Sequence, residues 1–407
     1  MHAVDAESQP HPARDPHPAP PTTRTLALFL PTLTGGGAER VMVTLAGGLA
    51  ELGHDVELVV GTAQGPLVGE VAPDVRIVEL HATNMLAAVL PLARYLRRRR
   101  PDALLATLRN ANLAAVAARS LAGSPRVLVL REANTLSAPL RRRGSPKLAA
   151  YRRLMRALYP AATHVVANSA GSASDLADVT GLPRDRVEVI PNPVDVAGIE
   201  SRAAAPASPA PPFGNGERAA RLVAIGRLTE QKGFDVLIDA FADLAHRRAA
   251  TLSILGEGED RDALRARAER LGVGDRVWMP GFVANPYPHL RVAHAFVLAS
   301  RWEGAPNVVS EALALGVPVV ATDCPHGPRE LLRGGDLGAL VPVDDAPALA
   351  AAIERTLDAP PDPGPLRHAV HDQRAANVVR RYEGLLTPEG ATPAPTERAT
   401  PADGPTS

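Results

Sequence analysis

Short apolar segments alternate with amphipathic segments in two successive runs along the chain, and this pattern restricts the fold more than any other feature. The first run begins with LALFLPTL at Leu26, and the second begins with RLVAIGRL at Arg221. Strands that alternate with helices build parallel sheets with helices on both faces. The sequence therefore predicts an α/β protein with two separate parallel sheets.

The composition changes between the two runs and at both ends of the chain. The segment between the runs is dominated by Pro, Ala, Ser and Gly, which is typical of a linker. The Pro- and His-rich N-terminus cannot bury enough apolar area to fold. The predicted organisation is a disordered leader (1–23), a first Rossmann-like domain (24–195), a linker (196–217), a second Rossmann-like domain (218–370), a helix (371–386) that can pack back on the first domain, and a disordered tail (387–407).

Composition and hydropathy exclude several classes of protein. Cys324 is the only cysteine in the sequence, so there is no intramolecular disulfide and no cysteine-based metal cluster. No run of about 18 apolar residues predicts a transmembrane helix. The N-terminus lacks the basic start and apolar core of a signal peptide. We therefore expect a cytoplasmic protein.

The stretch SRWEGAPNVVSEALALGVP, residues Ser300–Pro318, carries two carboxylates eight positions apart. Pro306 suits the first position of a helix, and Gly316 suits its left-handed end. Glu303 then lies on a loop before the helix N-terminus, and Glu311 lies about one turn inside the helix. Free N–H groups at such a terminus suit a diphosphate, and a nearby carboxylate can bind sugar hydroxyls. The stretch is therefore a candidate nucleotide-sugar site.

Glycine-containing loops follow the strands of the second run. Gly226, Arg227 and Lys232 lie in GRLTEQKG directly after the strand RLVAI, and ligands bind at this end of parallel strands. The two cations can clamp a diphosphate, with two solvated surface charges as the alternative. Gly256 in GEGED adds backbone freedom at the same edge. The backbone of Phe282 can contact a base or ribose, or it can simply form a turn at a strand end.

The first half of the chain has a glycine-rich loop of its own. Gly36 and Gly37 precede the start of a helix, where the backbone can approach a ligand closely and N–H groups are available. A purely structural turn is the alternative. The loop is a second candidate for ligand contact.

Several motifs resemble those of glycosyltransferase family 4 (GT4), whose members are retaining enzymes with the GT-B fold. In the second half these are GRLTEQKGFD, the Glu-x7-Glu pair in WEGAPNVVSE, and GVPVVATDCPHGPREL; in the first half they are GGGAERV, VVANSAGSASDL and VEVIPNPVD. The similarity extends over most of residues 25–385. The resemblance implies two Rossmann-like domains whose parallel sheets face a central cleft.

The resemblance also implies roles for individual residues. Glu303 would contact the donor sugar, and Glu311 the ribose hydroxyls. The diphosphate would be bound by Arg227, Lys232 and the N–H groups of Asn307 and Val308, with Gly36 and Gly37 lining the opposite wall of the cleft.

The implied reaction is sugar transfer, with retention, from a nucleotide sugar, with UDP as the expected nucleotide, to a glycan or lipid-linked acceptor. Cations and a helix N-terminus can stabilise the departing diphosphate, so neither a metal ion nor another cofactor is expected. A non-catalytic GT-B subunit that binds nucleotide and supports a partner transferase is the alternative. A nucleotide-sugar epimerase or hydrolase of the same fold is a third possibility.

The acceptor side departs from a common pattern of the family. Many relatives carry a histidine after the strand that corresponds to ALLATL, whereas this chain has Arg109 in that region. Arg131 and Glu132, in the segment REANT, are other polar candidates. Glu132 could take the acceptor proton or form a salt bridge with Arg131 or Arg109. The general base is therefore unassigned.

The first half of the chain is strongly basic over one segment. Between Thr83 and Pro160 there are 16 Arg and Lys residues against two acidic residues, a net charge of +14. Solvated helix ends, as at Arg97–Arg100, are the alternative to a binding surface. We expect this face to meet an anionic membrane surface or an anionic lipid-diphosphate-linked acceptor. Because aromatic residues make up only 3% of the chain, nucleic acid is not an expected partner.

Overall fold

A computed structural model describes residues 23–137, 146–213 and 219–388. The expected leader and tail lie almost entirely outside the described residues. The basic cluster Arg141–Arg143 and the side chain of Lys147 lie outside them as well. No helix within the three described ranges is long and apolar enough to span a bilayer.

The first sheet has seven parallel strands in the order β3-β2-β1-β4-β5-β6-β7. Nearly every residue of the central strands is buried, as expected for a parallel sheet covered on both faces. The strands are β1 (Thr25–Leu30), β2 (Asp55–Val60), β3 (Arg76–Glu79), β4 (Ala103–Thr107), β5 (Val127–Glu132), β6 (His164–Ala167) and β7 (Val187–Val189).

Among the described residues, the α-helices between these strands are α1 (Gly37–Glu51), α2 (Met85–Arg99), α3 (Arg109–Ala122), α4 (Pro146–Leu158) and α5 (Ala170–Thr180). The apolar residues of α2 to α5 pack against one face of the sheet, and those of α1 pack against the other. Because the helices start where the strands end, the loops before α1, α3 and α5 lie together at the carboxyl edge of the sheet.

The second sheet has six parallel strands in the order β10-β9-β8-β11-β12-β13. Both of its faces are also covered by helices. The strands are β8 (Ala220–Ile225), β9 (Ala250–Leu255), β10 (Val277–Gly281), β11 (Ala295–Leu298), β12 (Val319–Thr322) and β13 (Ala339–Val341). The preceding helix is α6 (Val196–Ala203), and those that follow are α7 (Phe234–Arg247), α8 (Arg261–Arg270), α9 (Tyr287–Arg291), α10 (Asn307–Leu315), α11 (Pro328–Leu331), α12 (Ala346–Asp358), α13 (Pro363–Ala369) and α14 (Ala375–Leu386).

Two segments differ from the sequence predictions. The first eight residues of the expected linker form helix α6, which the Asp195 side chain caps by accepting from Gly198 N at 3.0 Å, and which buries Ile199 and Ala203. Residues 196–203 are therefore helical, although the Pro- and Ala-rich composition of 196–217 predicted an irregular linker. The predicted helix 371–386 begins only at Ala375, because a short 3₁₀ turn precedes it.

The last helix, α14, leaves the second domain and packs on the first. Its buried residues Val378, Val379 and Tyr382 join the core beneath α1. His54 Nε2 lies 3.1 Å from Glu383 Oε1 and adds a polar contact between α14 and the first domain. The chain thus crosses between the domains twice, and the carboxyl edges of the two sheets face each other across a cleft.

Candidate active site

The loop after β11 places Glu303 at the base of the cleft. The Glu303 side chain is only 6% exposed, and its Oε1 lies 2.5 Å from Lys232 Nζ. Ser300 Oγ donates to the same oxygen at 2.7 Å. A buried carboxylate needs such partners, because an unpaired charge is costly away from water. Glu303 and Lys232, assigned to one site from sequence, are therefore in direct contact.

A tight turn brings Lys232 to this position. Lys232 ends a 3₁₀ turn, and the next residue, Gly233, has a left-handed backbone with φ of 62°. A Cβ atom at Gly233 would lie 2.1 Å from the carbonyl oxygen of Ala299, so only glycine fits there. Gln231 joins the same two loops, since its Nε2 donates to the Trp302 carbonyl at 2.9 Å.

Arg227 lies on the same side of the cleft but is exposed. Within the described ranges it makes no ion pair, so its guanidinium is available to an anion. Gly226 and Gly256 lie directly beneath it, where the loops after β8 and β9 touch. A Cβ atom at Gly256 would lie 1.9 Å from the Gly226 carbonyl oxygen. The close contact between these two loops thus requires glycine at position 256, independently of any ligand.

Helix α10 begins at Asn307, with its N-terminus beside the Glu303 loop. Pro306 is the N-cap residue rather than the first helical residue, and Gly316 ends the helix with φ of 74°. The first N–H groups of a helix have no partner inside it, so those of Asn307 and Val308 are candidate donors at this terminus. The Asn307 side chain crosses the cleft and donates to the Gly37 carbonyl at 3.1 Å.

Glu311 lies one turn further along α10, beside a cavity of about 570 Å³ between the domains. Tyr287 Oη donates to Glu311 Oε1 at 3.4 Å. Burial raises the pKa of the Glu311 carboxyl, while Arg40 and Arg202 oppose that rise. The Arg202 guanidinium lies over the Tyr287 ring, 4.9 Å from its centroid. Glu311 therefore lies in a cavity that both signs of charge line, with Arg40 and Arg202 among its cations and Glu70 and Asp195 among its other carboxylates.

The glycine loop of the first domain forms the opposite wall. Gly36 N donates to Glu39 Oε2 at 2.9 Å, so this N–H group already has a partner within the same segment. Phe282 is half-exposed and faces this loop, within 4 Å of the position of a Cβ atom at Gly35. The structure therefore places Phe282 and the glycine loop on the two walls of the same cleft.

Two of the three acceptor-side candidates are buried in the first domain. Arg131 is 1% exposed and Glu132 is 2% exposed. Both belong to β5, so their side chains point to opposite faces of the sheet and cannot pair. Glu132 accepts from Asn112 Nδ2 at 2.9 Å and from Tyr159 Oη. Burial raises the pKa of the Glu132 carboxyl. Neither side chain is an exposed polar group of the cleft, and the hydrogen bonds of Glu132 join it to Asn112 and Tyr159 in the core.

The third candidate, Arg109, lies at the start of α3. Its guanidinium stacks over the Tyr151 ring at 4.7 Å from the centroid, and its charge opposes the rise that burial causes in the pKa of the Glu132 carboxyl. Cys324 is buried as well, and burial raises the pKa of its thiol to about 12, which agrees with a packing role rather than a nucleophilic one.

Several residues of the site were not identified from sequence. Ser300 precedes the Glu303 loop, and a hydroxyl three residues from a candidate carboxylate was a usable signal. Arg40 follows the glycine loop within GGGAER. The small polar residues Thr135, Ser169 and Asn192 contact the Glu303 loop from the first domain. No local pattern reveals such contacts, because they join residues more than 100 positions apart.

Comparison with known proteins agrees with this geometry. A model of Glycosyltransferase Family 4 matches residues 35–197, and a model of Glycosyl transferases group 1 matches residues 219–359. The lipopolysaccharide core biosynthesis glycosyltransferase LpsE of Rhizobium meliloti is 30% identical over 333 residues, covering 79% of this chain and 85% of LpsE. The chain belongs to glycosyltransferase family 4. Its activity is therefore glycosyl transfer.

A further relative of this glycosyltransferase is an N-acetylgalactosaminyltransferase of Campylobacter jejuni that acts on a diphospho-undecaprenol-linked sugar. It is 29% identical over 344 residues, which cover 82% of this chain and 90% of that protein.

Solved structures show the same fold. HepE of Anabaena, solved with UDP-glucose, matches with a TM-score of 0.73 at 20% identity and covers 89% of this chain and 99% of its own. The lipopolysaccharide outer core galactosyltransferase WaaB matches with a TM-score of 0.66 at 17% identity, over 89% and 99%. The fold of this glycosyltransferase is GT-B, as the sequence predicted.

Proposed function

We propose that this protein transfers a sugar from a UDP-linked donor to a glycan or lipid-linked acceptor of the cell envelope, with retention of anomeric configuration. The observation that carries the proposal is the contact between Glu303 and Lys232 just before the N-terminus of α10, with exposed Arg227 on the same loop as Lys232. Support for the donor comes from HepE, which was solved with UDP-glucose. Support for the acceptor comes from the names of the Campylobacter and Rhizobium relatives.

In the proposed complex the diphosphate binds between Arg227, Lys232 and the N–H groups of Asn307 and Val308. As the bond to the sugar breaks, negative charge grows on the diphosphate, and fixed cations and a helix N-terminus stabilise it. Lys232 bridges this anion and Glu303, which holds a hydroxyl of the donor sugar. Glu311 accepts from the ribose hydroxyls.

We propose that these cations carry the charge of the leaving group without a metal ion. Turnover in excess EDTA should therefore equal turnover without it. A loss of activity that Mg²⁺ or Mn²⁺ restores would contradict this part of the proposal.

The donor is tested by a thermal-shift screen of UDP- and GDP-linked sugars, because a ligand that binds the native state raises its melting temperature. We expect a shift with at least one UDP-sugar and, with an acceptor, release of UDP. NMR of the product then gives its anomeric configuration. Absence of a shift with every nucleotide sugar would contradict the donor assignment. Binding without turnover on any acceptor would favour the non-catalytic alternative.

We further propose a peripheral site on the inner face of the membrane, where helix α2 of the basic segment meets anionic lipid. Leu86 and Leu90 on this helix are 84% and 58% exposed, one turn apart. Arg94 and Arg98 continue the same face at further four-residue steps and are also exposed. Apolar side chains followed by cations on one helix face suit an anionic lipid surface.

Vesicle co-sedimentation tests this membrane site. The wild type should pellet with vesicles that contain anionic lipid and much less with neutral vesicles, and Leu86→Ser/Leu90→Ser should remain in the supernatant. Leu121→Ser, a half-exposed leucine at the end of α3, is the matched control and should pellet normally. Equal pelleting of wild type with both vesicle types would contradict a site for anionic lipid.

A further inference from the structure

The loop that carries Glu303 is held at three successive peptide groups by the opposite domain. The carbonyl oxygens of Glu303, Gly304 and Ala305 each accept a hydrogen bond from a side chain of the first domain. In that order, the donors are Thr135 Oγ1, Ser169 Oγ at 3.0 Å and Asn192 Nδ2 at 3.0 Å.

The three donors come from three different loops, which follow β5, β6 and β7. Each of these side chains is at least nine-tenths buried. Because every one of these bonds joins the two domains, all three exist only while the domains are in contact. The loop around Glu303 is thus fixed by domain closure as well as by its own domain.

The contact is also sterically tight. A Cβ atom at Gly304 would lie 2.6 Å from the Ala133 carbonyl oxygen, so the backbones of the two domains touch at this residue. Asn168 Nδ2 donates to the same Ala133 oxygen at 3.0 Å and fixes that side of the contact. A displaced loop could not keep all these distances, since its room for movement is less than the width of a methyl group.

Asn192 is itself held in place from inside the first domain. Arg131 Nη2 donates to Asn192 Oδ1 at 2.5 Å, and Arg131 Nη1 donates to Thr107 Oγ1 at 3.0 Å. With its oxygen engaged, the Asn192 amide turns its nitrogen toward the Ala305 carbonyl and toward Asn307 Oδ1, 2.5 Å away. The buried Arg131 therefore acts on the cleft indirectly.

We propose that Thr135, Ser169 and Asn192 are positioning residues, which place the Glu303 carboxylate for reaction when the two domains close. Peptide groups are planar, so fixing three successive carbonyls fixes the orientation of the chain that carries the carboxylate. Small displacements of a reacting group cost rate without much change in binding. This inference rests on the proposed function, because it takes Glu303 as the group that contacts the donor sugar.

The test compares three substitutions at buried threonines. Thr135→Val keeps the shape of the side chain and removes its donor, whereas Thr135→Ser keeps the hydroxyl. Thr180→Val is the control: this hydroxyl is equally buried but bonds to the Leu176 carbonyl at 2.6 Å within α5. The measured quantities are kcat, the Kd of UDP, and hydrogen–deuterium exchange of the peptide that spans residues 300–307 in the presence of UDP.

We expect Thr135→Val to lower kcat roughly tenfold, the usual effect of one lost buried hydrogen bond, and to change the Kd of UDP less than about twofold. Exchange in residues 300–307 should be faster. Thr135→Ser should restore both kcat and exchange, and Thr180→Val should lower the melting temperature with kcat and exchange unchanged.

Wild-type kcat in Thr135→Val, or an equal loss in Thr180→Val, would overturn the positioning role. Failure of the proposed function is distinguishable, because it would show as wild-type turnover in Glu303→Gln. Hydrogen–deuterium exchange needs no acceptor, so it reports on the contact between the first domain and the Glu303 loop before the acceptor is identified.

Discussion

The two sheets of this glycosyltransferase have the same construction, yet the two domains contribute different kinds of group around the Glu303 loop. The second domain presents charged side chains, among them Arg227, Lys232 and Glu303. The first domain presents neutral hydroxyl and amide donors to the Glu303 loop, and its charged residues Arg131 and Glu132 are buried at either face of β5. We infer that one domain binds and polarises the donor while the other positions it.

The largest expected difference is between the two buried glutamates. Glu303→Gln keeps the size of the side chain but removes the charge beside Lys232, and kcat should fall by roughly 10² to 10³, as for loss of one preorganised electrostatic group. Glu132→Gln, in the first domain, should leave kcat within about threefold of wild type, because its partners Asn112 and Tyr159 lie in the core. Initial rates at saturating donor measure both. Equal losses would remove the distinction between the domains.

A smaller effect is expected from the diphosphate cations. Lys232→Met and Arg227→Met each remove one charge-assisted hydrogen bond, which corresponds to roughly 10- to 100-fold weaker UDP binding. Arg270→Met removes an exposed cation at the end of α8 and is the control, with an unchanged Kd. Calorimetric titration with UDP measures all three. If Arg270→Met weakened binding as much, the effect would be one of general charge rather than of the site.

The smallest expected effect concerns pH. Burial raises the pKa of Glu311, so its carboxyl keeps a proton to a higher pH than an exposed glutamate does. The protonated form accepts fewer hydrogen bonds from ribose, and UDP affinity should therefore fall a few-fold as the pH drops through this raised pKa. The UDP affinity of Glu311→Gln should not show this decrease. Titrations of both proteins across the same pH range remove the contribution of the nucleotide's own ionisation, and identical profiles would contradict a role for Glu311.

The raised pKa of Glu311 also affects stability, in the opposite direction. Because the folded-state pKa lies above the unfolded value, ionisation is harder in the folded protein, and the free energy of unfolding falls as the pH rises through the raised pKa. Wild type should thus lose a small amount of stability over that range relative to Glu311→Gln.

The sequence was sufficient for the fold and for the charged half of the site. Arg227, Lys232, Glu303 and Glu311 each follow a strand or open a helix, so local pattern alone placed them at one sheet edge. The contact between Lys232 and Glu303 lies within the second domain. The match between prediction and structure is therefore best where one domain supplies all the parts.

The first domain was predicted less well, for two physical reasons. Arg131 and Glu132 were expected among the polar groups of the cleft, but β5 runs through Glu132, so their side chains point into the cores on the two faces of the sheet. Thr135, Ser169 and Asn192 are ordinary small polar residues whose partners are backbone carbonyls more than 100 positions away. Their role exists only in the assembled cleft, and no spacing within the sequence encodes it.

We infer that the second domain alone binds the nucleotide diphosphate, and a crystal structure with UDP would test this inference. We predict the diphosphate at the N-terminus of α10, within hydrogen-bond distance of Arg227, Lys232 and the N–H groups of Asn307 and Val308, with the ribose on Glu311. UDP bound instead against the strand ends of the first domain, with these residues unoccupied, would contradict the account.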